Sequence, residues 1–231
     1  MRISKEKKGK TSKKVFFFFY GKKVEKRKEW WYTSFKNWQY QYIIRNTKGG
    51  ATMGYVKWSY SVLEHFCHDV FRAFGFDETQ SKEIEDVLLT ADLFGIESHG
   101  MQRMVRYHKG IEKGTIHPLA KPEVVFETPV SAVIDGHNGM GQLISIYAMK
   151  KAIEKAKTSG IGMVSVRNSN HFGIAGYYAK MASDEGLLGM ACTNSEAIMV
   201  PTFGKKAMLG SNPIAVAMPA EPYPFLFDCS T

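Results

Sequence analysis

Residues 130–166, VSAVIDGHNGMGQLISIYAMKKAIEKAKTSGIGMVSV, pass from one hydrophobic pattern to another and back. VSAVID and GMVSV are short runs rich in β-branched residues, which are typical of strands. Between them, residues 141–160 have the spacing of a helix, with lysines toward the end and Gly160 as the stop, both favourable at a helix C-terminus. A strand, a helix and a strand in this order predict a sheet covered by helices.

The pattern continues on both sides of this stretch. EVVFE at 123–127 and VSAVID are separated by Thr128-Pro129, which predicts a hairpin. Downstream we predict a loop and helix over 171–186 and strands at 187–194, 213–219 and 224–228. The fold class is therefore mixed α/β, with a mixed-sheet domain over residues 121–231. Polar motifs follow several strands, at the positions where such sheets bind ligands.

Residues 53–120 are predicted to form a helical unit. Ser61-x-x-Glu64 reads as a capping box that begins a first helix. Asp77 is the predicted cap of a second helix, and Ser98 of a third that carries a Ser-His-Gly motif.

Residues 1–52 differ from the rest in charge and composition. They contain 15 of the 31 Lys and Arg residues but only 3 of the 22 Asp and Glu, a net charge of +12, so the remaining residues carry −3. The body of the protein thus lacks the basic character of a nucleic-acid-binding domain. Without helical or alternating periodicity, we expect 1–52 to be a disordered or non-native extension preceding a start at Met53. A basic-aromatic arm and a transit peptide are the alternatives.

Several classes of function are disfavoured by the rest of the sequence. No apolar run approaches the roughly 20 residues that span a bilayer. Cys67, Cys192 and Cys229 are widely spaced and predict buried thiols in a reducing compartment. His65 and His68 lack a third spaced ligand, so no metal site is expected.

Residues 98–107, SHGMQRMVRY, hold the first candidate site. At 100° per residue, His99, Arg103 and Tyr107 fall on one face, and His108 falls on the apolar face. A histidine that exchanges protons and an arginine that binds a carboxylate are what the reduction of a 2-oxo acid requires. By spacing alone, a solvated polar face remains the alternative.

The second candidate is His171, in the loop RNSNHFGIAGYY, where a histidine bonded only to local backbone is the alternative. The preceding motif DGHNGMGQ, between a strand and a helix, suggests a dinucleotide-binding loop because it is rich in glycine. Its glycines run G-x-x-G-x-G, however, the reverse of the Rossmann fingerprint, and no acidic residue ends the next strand. We therefore expect a non-Rossmann domain. Hydroxyl and amide clusters at three further strand ends predict a lining for a polar cofactor: Thr193 and Asn194; Ser211 and Asn212; Asp228, Ser230 and Thr231.

Seven motifs together resemble the malate/L-lactate dehydrogenase family of non-Rossmann 2-hydroxyacid oxidoreductases. This family includes sulfolactate, ureidoglycolate and diketogulonate dehydrogenases. The resemblance covers residues 54–231, and its motifs are GIESHGMQRMVRY, KGTIHP, VIDGHNGMGQ, NSNHFGIAGYYA, TNSEAIMVP, GSNPIAVAMP and DCST.

The resemblance implies a cytoplasmic, homodimeric enzyme that uses NAD or NADP, with no nucleic-acid or membrane partner. His99 and His171 match the family's active-site histidines, and either would be the acid/base. Arg103 matches the arginine that holds the substrate carboxylate, with Ser98 and Tyr107 beside it. The implied cofactor-binding residues are Asn194, Ser211, Asn212, Asp228, Cys229 and Ser230.

The sequence departs from the family in three places. Ser211 stands where Thr is usual, Lys205 stands where a second Gly is common, and the family continues well beyond DCST. We therefore expect the C-terminal part to be missing. The competing hypothesis is a catalytically inactive fragment or paralogue whose basic N-terminal arm binds nucleic acid or anionic membrane.

Overall fold

The computed structural model describes residues 55–230 and two further strands, at 14–19 and 40–43, with side chains from residue 58 onward. The described residues divide into two compact units. The sheet unit comprises 14–19 and 120–230, and the helical unit comprises 40–43 and 55–119.

A seven-stranded mixed sheet forms the sheet unit. Its strands are β1 (Lys14–Phe19), β4 (Glu123–Glu127), β5 (Ser131–Gly139), β6 (Ile161–Ser169), β7 (Leu188–Thr193), β8 (Ile214–Met218) and β9 (Phe225–Cys229). Their order across the sheet is β4-β5-β6-β1-β7-β8-β9. Only β5 and β6 pair in parallel, and the other neighbours are antiparallel. The mixed α/β class is thus confirmed.

Two helices connect the central strands of this sheet. Helix α4 (Gly141–Ser159) joins β5 to β6, and α5 (Ala175–Asp184) joins β6 to β7. Gly160 ends α4 in the left-handed conformation, with φ of 79°, as expected from its lack of a Cβ. On β6, residues 162, 164 and 166 are buried while Ile161 and Met163 are each 38% exposed, the alternation of a strand covered on one face. The predicted hairpin, helices and strands of residues 123–229 are confirmed.

Strand β1 lies within residues 1–52, whose expected disorder or non-native origin stays a prediction. Residues 14–19 pair antiparallel with β6 on one side and with β7 on the other. The segment KVFFFF does not alternate, which is why it was not predicted to be a strand. A strand in the middle of a sheet reads instead as a continuous apolar run, because both of its faces can be covered.

The helical unit contains three helices and a two-stranded ribbon. The ribbon pairs β2 (Tyr40–Ile43) with β3 (Tyr55–Trp58), and the helices are α1 (Tyr60–Ala73), α2 (Glu78–Leu93) and α3 (Met104–Glu112). The cap predicted at Asp77 is confirmed, and Gln80 completes a capping box with it. The box predicted at Ser61 is wrong, because α1 begins at Tyr60 after Ser59.

The predicted third helix also begins later than expected. Two 3₁₀ turns, Glu97–His99 and Met101–Arg103, precede α3, and Ser98 caps no α-helix. The 100° spacing therefore does not hold across Gly100, and Tyr107 is only 1% exposed rather than on a polar face. His108 is half-exposed, not apolar: it lies 3.6 Å from Glu112 and packs against the ring of Phe74.

Candidate active site

The first group of candidate residues lies on the two 3₁₀ turns of the helical unit. Backbone bonds from His99 to Ile96 and from Arg103 to Gly100 close the turns, at 2.9 Å each. At their junction, the backbone N–H of Met101 donates to the buried carboxylate of Asp92 at 2.9 Å. Asp92 therefore attaches the turns to the end of α2.

Gly100 is required at this junction by space rather than by backbone conformation. Its φ of −86° is open to any residue. A Cβ at this position would lie 1.8 Å from Oδ1 of Asp92, however. The glycine of the Ser-His-Gly motif thus lets the turns pack onto the carboxylate that holds them.

His99 is half-buried and hydrogen-bonded within the turn. Its Nδ1 lies 2.9 Å from the Oγ of Ser98, which is itself exposed. Burial lowers the pKa of His99 below its usual 6.5, and the positive charges of Arg103 and Arg106 lower it further. The imidazole is therefore neutral at pH 7 and suited to accept a proton.

Arg103 lies over the same turn. Its Nε donates to the carbonyl oxygen of Ser98 at 2.5 Å, which fixes the plane of the guanidinium. Burial lowers the pKa of Arg103, and Arg106 acts in the same direction. Ser98, His99 and Arg103 thus form one cluster, whereas Tyr107 is part of the buried interior of the helical unit.

His171 lies in the sheet unit, beyond the C-terminal end of β6. If Gly141 carried a Cβ, that atom would lie only 2.1 Å from the carbonyl oxygen of His171. The loop therefore packs directly against the first turn of α4. The side-chain amide of the neighbouring Asn170 donates to the carbonyl oxygens of Asn138 and Gly139, at 2.8 and 3.1 Å. The loop that carries His171 is therefore held from both sides.

A buried carboxylate organises the adjoining loop after β5. Asp135, 5% exposed, accepts hydrogen bonds from Arg167 and Asn168 at 2.9 Å. It also accepts from the backbone N–H of His137, whose Nε2 lies 2.8 Å from Glu123. Burial alone would raise the pKa of Asp135, but these hydrogen bonds outweigh it and the pKa is lowered. Asp135 is accordingly ionised and structural.

The predicted cofactor-binding residues gather at one end of the sheet. Residue 192 of β7 pairs with 214 of β8, which pairs with 229 of β9. The end of β7, the start of β8 and the end of β9 therefore coincide. Because β6 and β7 are both antiparallel to β1, the end of β6, followed by His171, lies at the same edge.

Hydrogen bonds connect two of these segments directly. The backbone N–H of Ser195 donates to Oδ1 of Asn212 at 3.1 Å, and the N–H of Ser211 donates to Oγ of Ser195 at 2.8 Å. Ser211 and Asn212 are half-buried, while Asn194 is exposed. Ser195 was not among the predicted residues, although the motif TNSEAIMVP contains it.

Asp228 performs a structural task that the sequence did not indicate. Its Oδ2 accepts the backbone N–H of Gly176 at 2.7 Å, in the first turn of α5. A carboxylate is favourable there because it faces the positive end of the helix dipole. Burial raises its pKa, with the Gly176 bond acting in the opposite direction. Cys229 and Ser230, which follow, are exposed.

Asp92 and Gly141 were also missed, because a contact between residues distant in the chain leaves no local pattern. Among residues with described side chains, no three potential ligands gather around a metal position. His68 is engaged by Glu85 and Glu78, at 3.1 and 3.0 Å. No helix in the described part of the chain is long and apolar enough to cross a membrane.

The chain is similar in sequence and in structure to several dehydrogenases. The chain is 47% identical over 184 residues to a malate dehydrogenase of Pyrococcus abyssi, covering 80% of this chain and 51% of that protein. It is 44% identical over 163 residues to an L-sulfolactate dehydrogenase of Methanocaldococcus jannaschii, covering 71% and 47%. The structure of a malate dehydrogenase from Pyrococcus horikoshii OT3 superposes with a TM-score of 0.71 and 48% identity, over 73% of this chain and 49% of that one.

The chain spans about half the length of the relatives that it matches. Residues 58–231 match the family described as malate/L-lactate dehydrogenase, and this range contains every candidate site residue described above. The protein therefore belongs to the malate/L-lactate dehydrogenase family.

Proposed function

We propose that the whole protein transfers a hydride between NAD or NADP and C2 of a small 2-hydroxy or 2-oxo acid of the malate or lactate type. The observation that carries the proposal is the cluster of Ser98, His99 and Arg103 on adjoining turns, in a chain of this dehydrogenase family. His99 and His171 are the proposed catalytic residues, and Arg103 is the proposed carboxylate-binding residue. The proposal includes a homodimer in the cytoplasm, as the family resemblance implies.

Arg103 is proposed to bind the substrate carboxylate. A guanidinium forms two parallel hydrogen bonds with a carboxylate and so fixes its orientation. Its Nε already bonds to Ser98, which leaves its terminal nitrogens to face a ligand. Arg106, exposed one turn further, adds a second positive charge whose effect reaches both His99 and Arg103. This second charge favours a substrate with two acidic groups, such as malate or sulfolactate, over lactate.

His99 is proposed to exchange the proton of the substrate hydroxyl. Its lowered pKa keeps the imidazole in the form that accepts a proton when a 2-hydroxy acid is oxidised. The bond to Ser98 Oγ orients the ring through Nδ1. His171 remains the alternative for this role. Tyr107 is buried, and its proposed contribution is to support the turns rather than to touch the substrate.

The edge of the sheet suits a nicotinamide nucleotide. Such a cofactor carries ribose hydroxyls and a carboxamide, which need both donors and acceptors. Hydroxyl, amide and carboxylate groups of the right kind lie at the coinciding strand ends, on Asn194, Ser211, Asn212, Asp228 and Ser230, with the backbone of Cys229 between them. When bound, the cofactor supplies the hydride acceptor. The chain's own residues bind and orient it.

The proposal is tested by steady-state kinetics on the full chain, with NAD and NADP each offered with (S)-malate, sulfolactate and L-lactate. Arg103→Lys is expected to lower kcat/KM about 10- to 150-fold, the equivalent of about 1.5–3 kcal/mol for a charge-assisted bond. Its matched control is Arg72→Lys, whose guanidinium donates to Phe76 O and lies 3.8 Å from Glu78, in another part of the helical unit. His99→Gln is expected to lower kcat about 10²- to 10⁴-fold. Its control is His65→Gln, which lies exposed on α1.

Equal activities of His99→Gln and His65→Gln would refute the role of His99. Arg106→Gln is expected to reduce kcat/KM for malate and sulfolactate more than for lactate. An equal reduction for all three would refute the proposed preference of Arg106 for substrates with two acidic groups. If the chain reduces neither cofactor with any of these acids and binds neither by fluorescence titration, the alternative of an inactive fragment or paralogue is favoured.

A further inference from the structure

His68 of α1 lies between two carboxylates of α2. Its Nδ1 is 3.1 Å from Oε2 of Glu85, and its Nε2 is 3.0 Å from Oε2 of Glu78. Both ring nitrogens therefore face a group that, when ionised, can only accept a hydrogen bond. A neutral imidazole carries one N–H and can donate to only one of the two carboxylates, whereas an imidazolium donates to both. The geometry thus matches the charged form of His68.

Glu85 is the partner for which the charge of His68 matters most. Glu85 is 3% exposed, whereas the side chain of Glu78 is 79% exposed and also lies 3.8 Å from Nε of Arg72. A buried carboxylate is costly to ionise unless a charged partner compensates it. Burial raises the pKa of Glu85, and the charge and hydrogen bond of His68 act in the opposite direction. Protonated His68 therefore offsets the cost of a buried negative charge between α1 and α2.

The other charges near this cluster do not replace that of His68. Glu64, one turn earlier on α1, acts on the pKa of Glu85 in the same direction as burial, and Lys82 of α2 opposes it with a smaller effect. Cys67, next to His68 in the chain, is fully buried, and burial raises the pKa of its thiol, so it stays uncharged. The groups that act on this cluster or on Cys67 are Glu64, Arg72, Glu78, Lys82, Glu85 and Asp92.

We propose that His68 is a proton-operated clasp, which holds α1 against α2 while its imidazole is charged and loosens when the proton leaves. When the proton leaves, one of the two carboxylates faces the lone pair of a ring nitrogen, and buried Glu85 loses its compensating charge. This inference is independent of the proposed catalytic function.

The direction of the pH dependence follows from the two titrating groups. The pKa of His68 is raised above its usual 6.5, chiefly by the hydrogen bond to Glu78, with burial acting in the opposite direction. The stabilisation by His68 is therefore complete below pH 6.5 and is lost as the pH rises through the raised pKa. The pKa of Glu85 is also raised, so its ionisation weakens the helix pair in the same direction. The pair of helices should open more often under alkaline conditions.

Hydrogen exchange of the amides of α1 and α2 tests this proposal in the full chain. Exchange is measured from about pH 6 to about pH 9 and corrected for the intrinsic rate, so that the open population is compared. The variant is His68→Gln, and the matched control is His65→Gln. His65 is exposed on the same helix, and its Nδ1 lies 2.6 Å from the carbonyl oxygen of Ser61 rather than near a carboxylate.

The open population is expected to rise roughly threefold or more over this range in the wild type and in His65→Gln, and to stay nearly constant in His68→Gln. The same rise in His68→Gln as in the wild type would overturn the proposal, as would a constant open population in the wild type.

A second measurement does not depend on whether His68→Gln folds. An NMR titration of the ring of His68 in the wild type is expected to have its midpoint above pH 6.5, and a midpoint at or below this value would overturn the proposal. Glu78→Gln alters an exposed side chain and removes one of the two carboxylates. It is expected to lower the midpoint of His68, and an unchanged midpoint would overturn the assignment of a clasp between two carboxylates.

Discussion

Replacing Gly100 by alanine is expected to destabilise the helical unit, although the backbone conformation at this position suits any residue. The new Cβ would lie 1.8 Å from Oδ1 and 2.2 Å from Cγ of Asp92, so the carboxylate must move. Its movement breaks the 2.9 Å hydrogen bond that Oδ2 accepts from Met101, where both residues are at most 7% exposed. Losing a hydrogen bond to a charged group costs about 1.5–3 kcal/mol, and overpacking adds about 1–3 kcal/mol. The free energy of unfolding should therefore fall by about 2.5–6 kcal/mol.

Urea unfolding followed by tryptophan fluorescence and circular dichroism measures this change. A double-mutant cycle isolates the cause, because Asp92→Ala removes both the clash and the hydrogen bond. The combined variant should be little less stable than Asp92→Ala alone, with a coupling energy of about 2 kcal/mol or more between the sites. Asp92→Asn, which keeps the shape of the side chain and an acceptor oxygen, is the milder control. A Gly100→Ala variant within about 0.5 kcal/mol of the wild type, or additive effects in the cycle, would refute the reasoning.

Three further substitutions test other parts of the structure. His68→Leu removes a partner of Glu85, which is only 3% exposed, so the free energy of unfolding should fall by about 1–3 kcal/mol in urea at pH 7; no loss would mean that another group satisfies the carboxylate. Gly141→Ala would place a Cβ 2.1 Å from the carbonyl oxygen of His171, and a fall in Tm of roughly 5–15 °C by calorimetry is expected; an unchanged Tm would contradict the close packing. The lowered pKa of His99 means that the folded state disfavours protonation, so its contribution to stability is present above pH 6.5 and is lost as the pH falls below that value. His99→Gln should flatten this acid dependence of stability. An NMR titration midpoint of His99 at or above pH 6.5 would contradict the lowered pKa and this contribution to stability.

Much of the sheet unit could be predicted from the sequence because its signals are local. The helical spacing of 141–159 and the short β-branched runs on either side are complete within their own segments, and the structure confirms their bounds to within a few residues. The cap at Asp77 was predictable for the same reason, since its partner Gln80 lies three residues away. Family membership also followed from motifs that can be read in order along the chain.

The candidate site was predictable only in part. Ser98, His99 and Arg103 are close in sequence, and a short turn brings them together. Tyr107 was assigned to their face by assuming an unbroken helix, but the turns on either side of Gly100 change the phase and bury its ring. The sequence gives no local sign of this break, because Gly100 is required by a carboxylate eight residues away on another helix.

The sequence by itself determined which segments of residues 123–229 are strands and helices, and to which family the chain belongs, because periodicity and motif order act over short distances. Only the tertiary structure decided that residues 14–19 lie between β6 and β7, that Asp228 binds the first turn of α5, and that Asp92 holds the Ser-His-Gly turn. These arrangements depend on which distant groups supply the missing hydrogen-bond partners. An apolar run such as KVFFFF satisfies many local patterns equally, and it becomes a central strand only where two other strands leave their backbone groups unpaired.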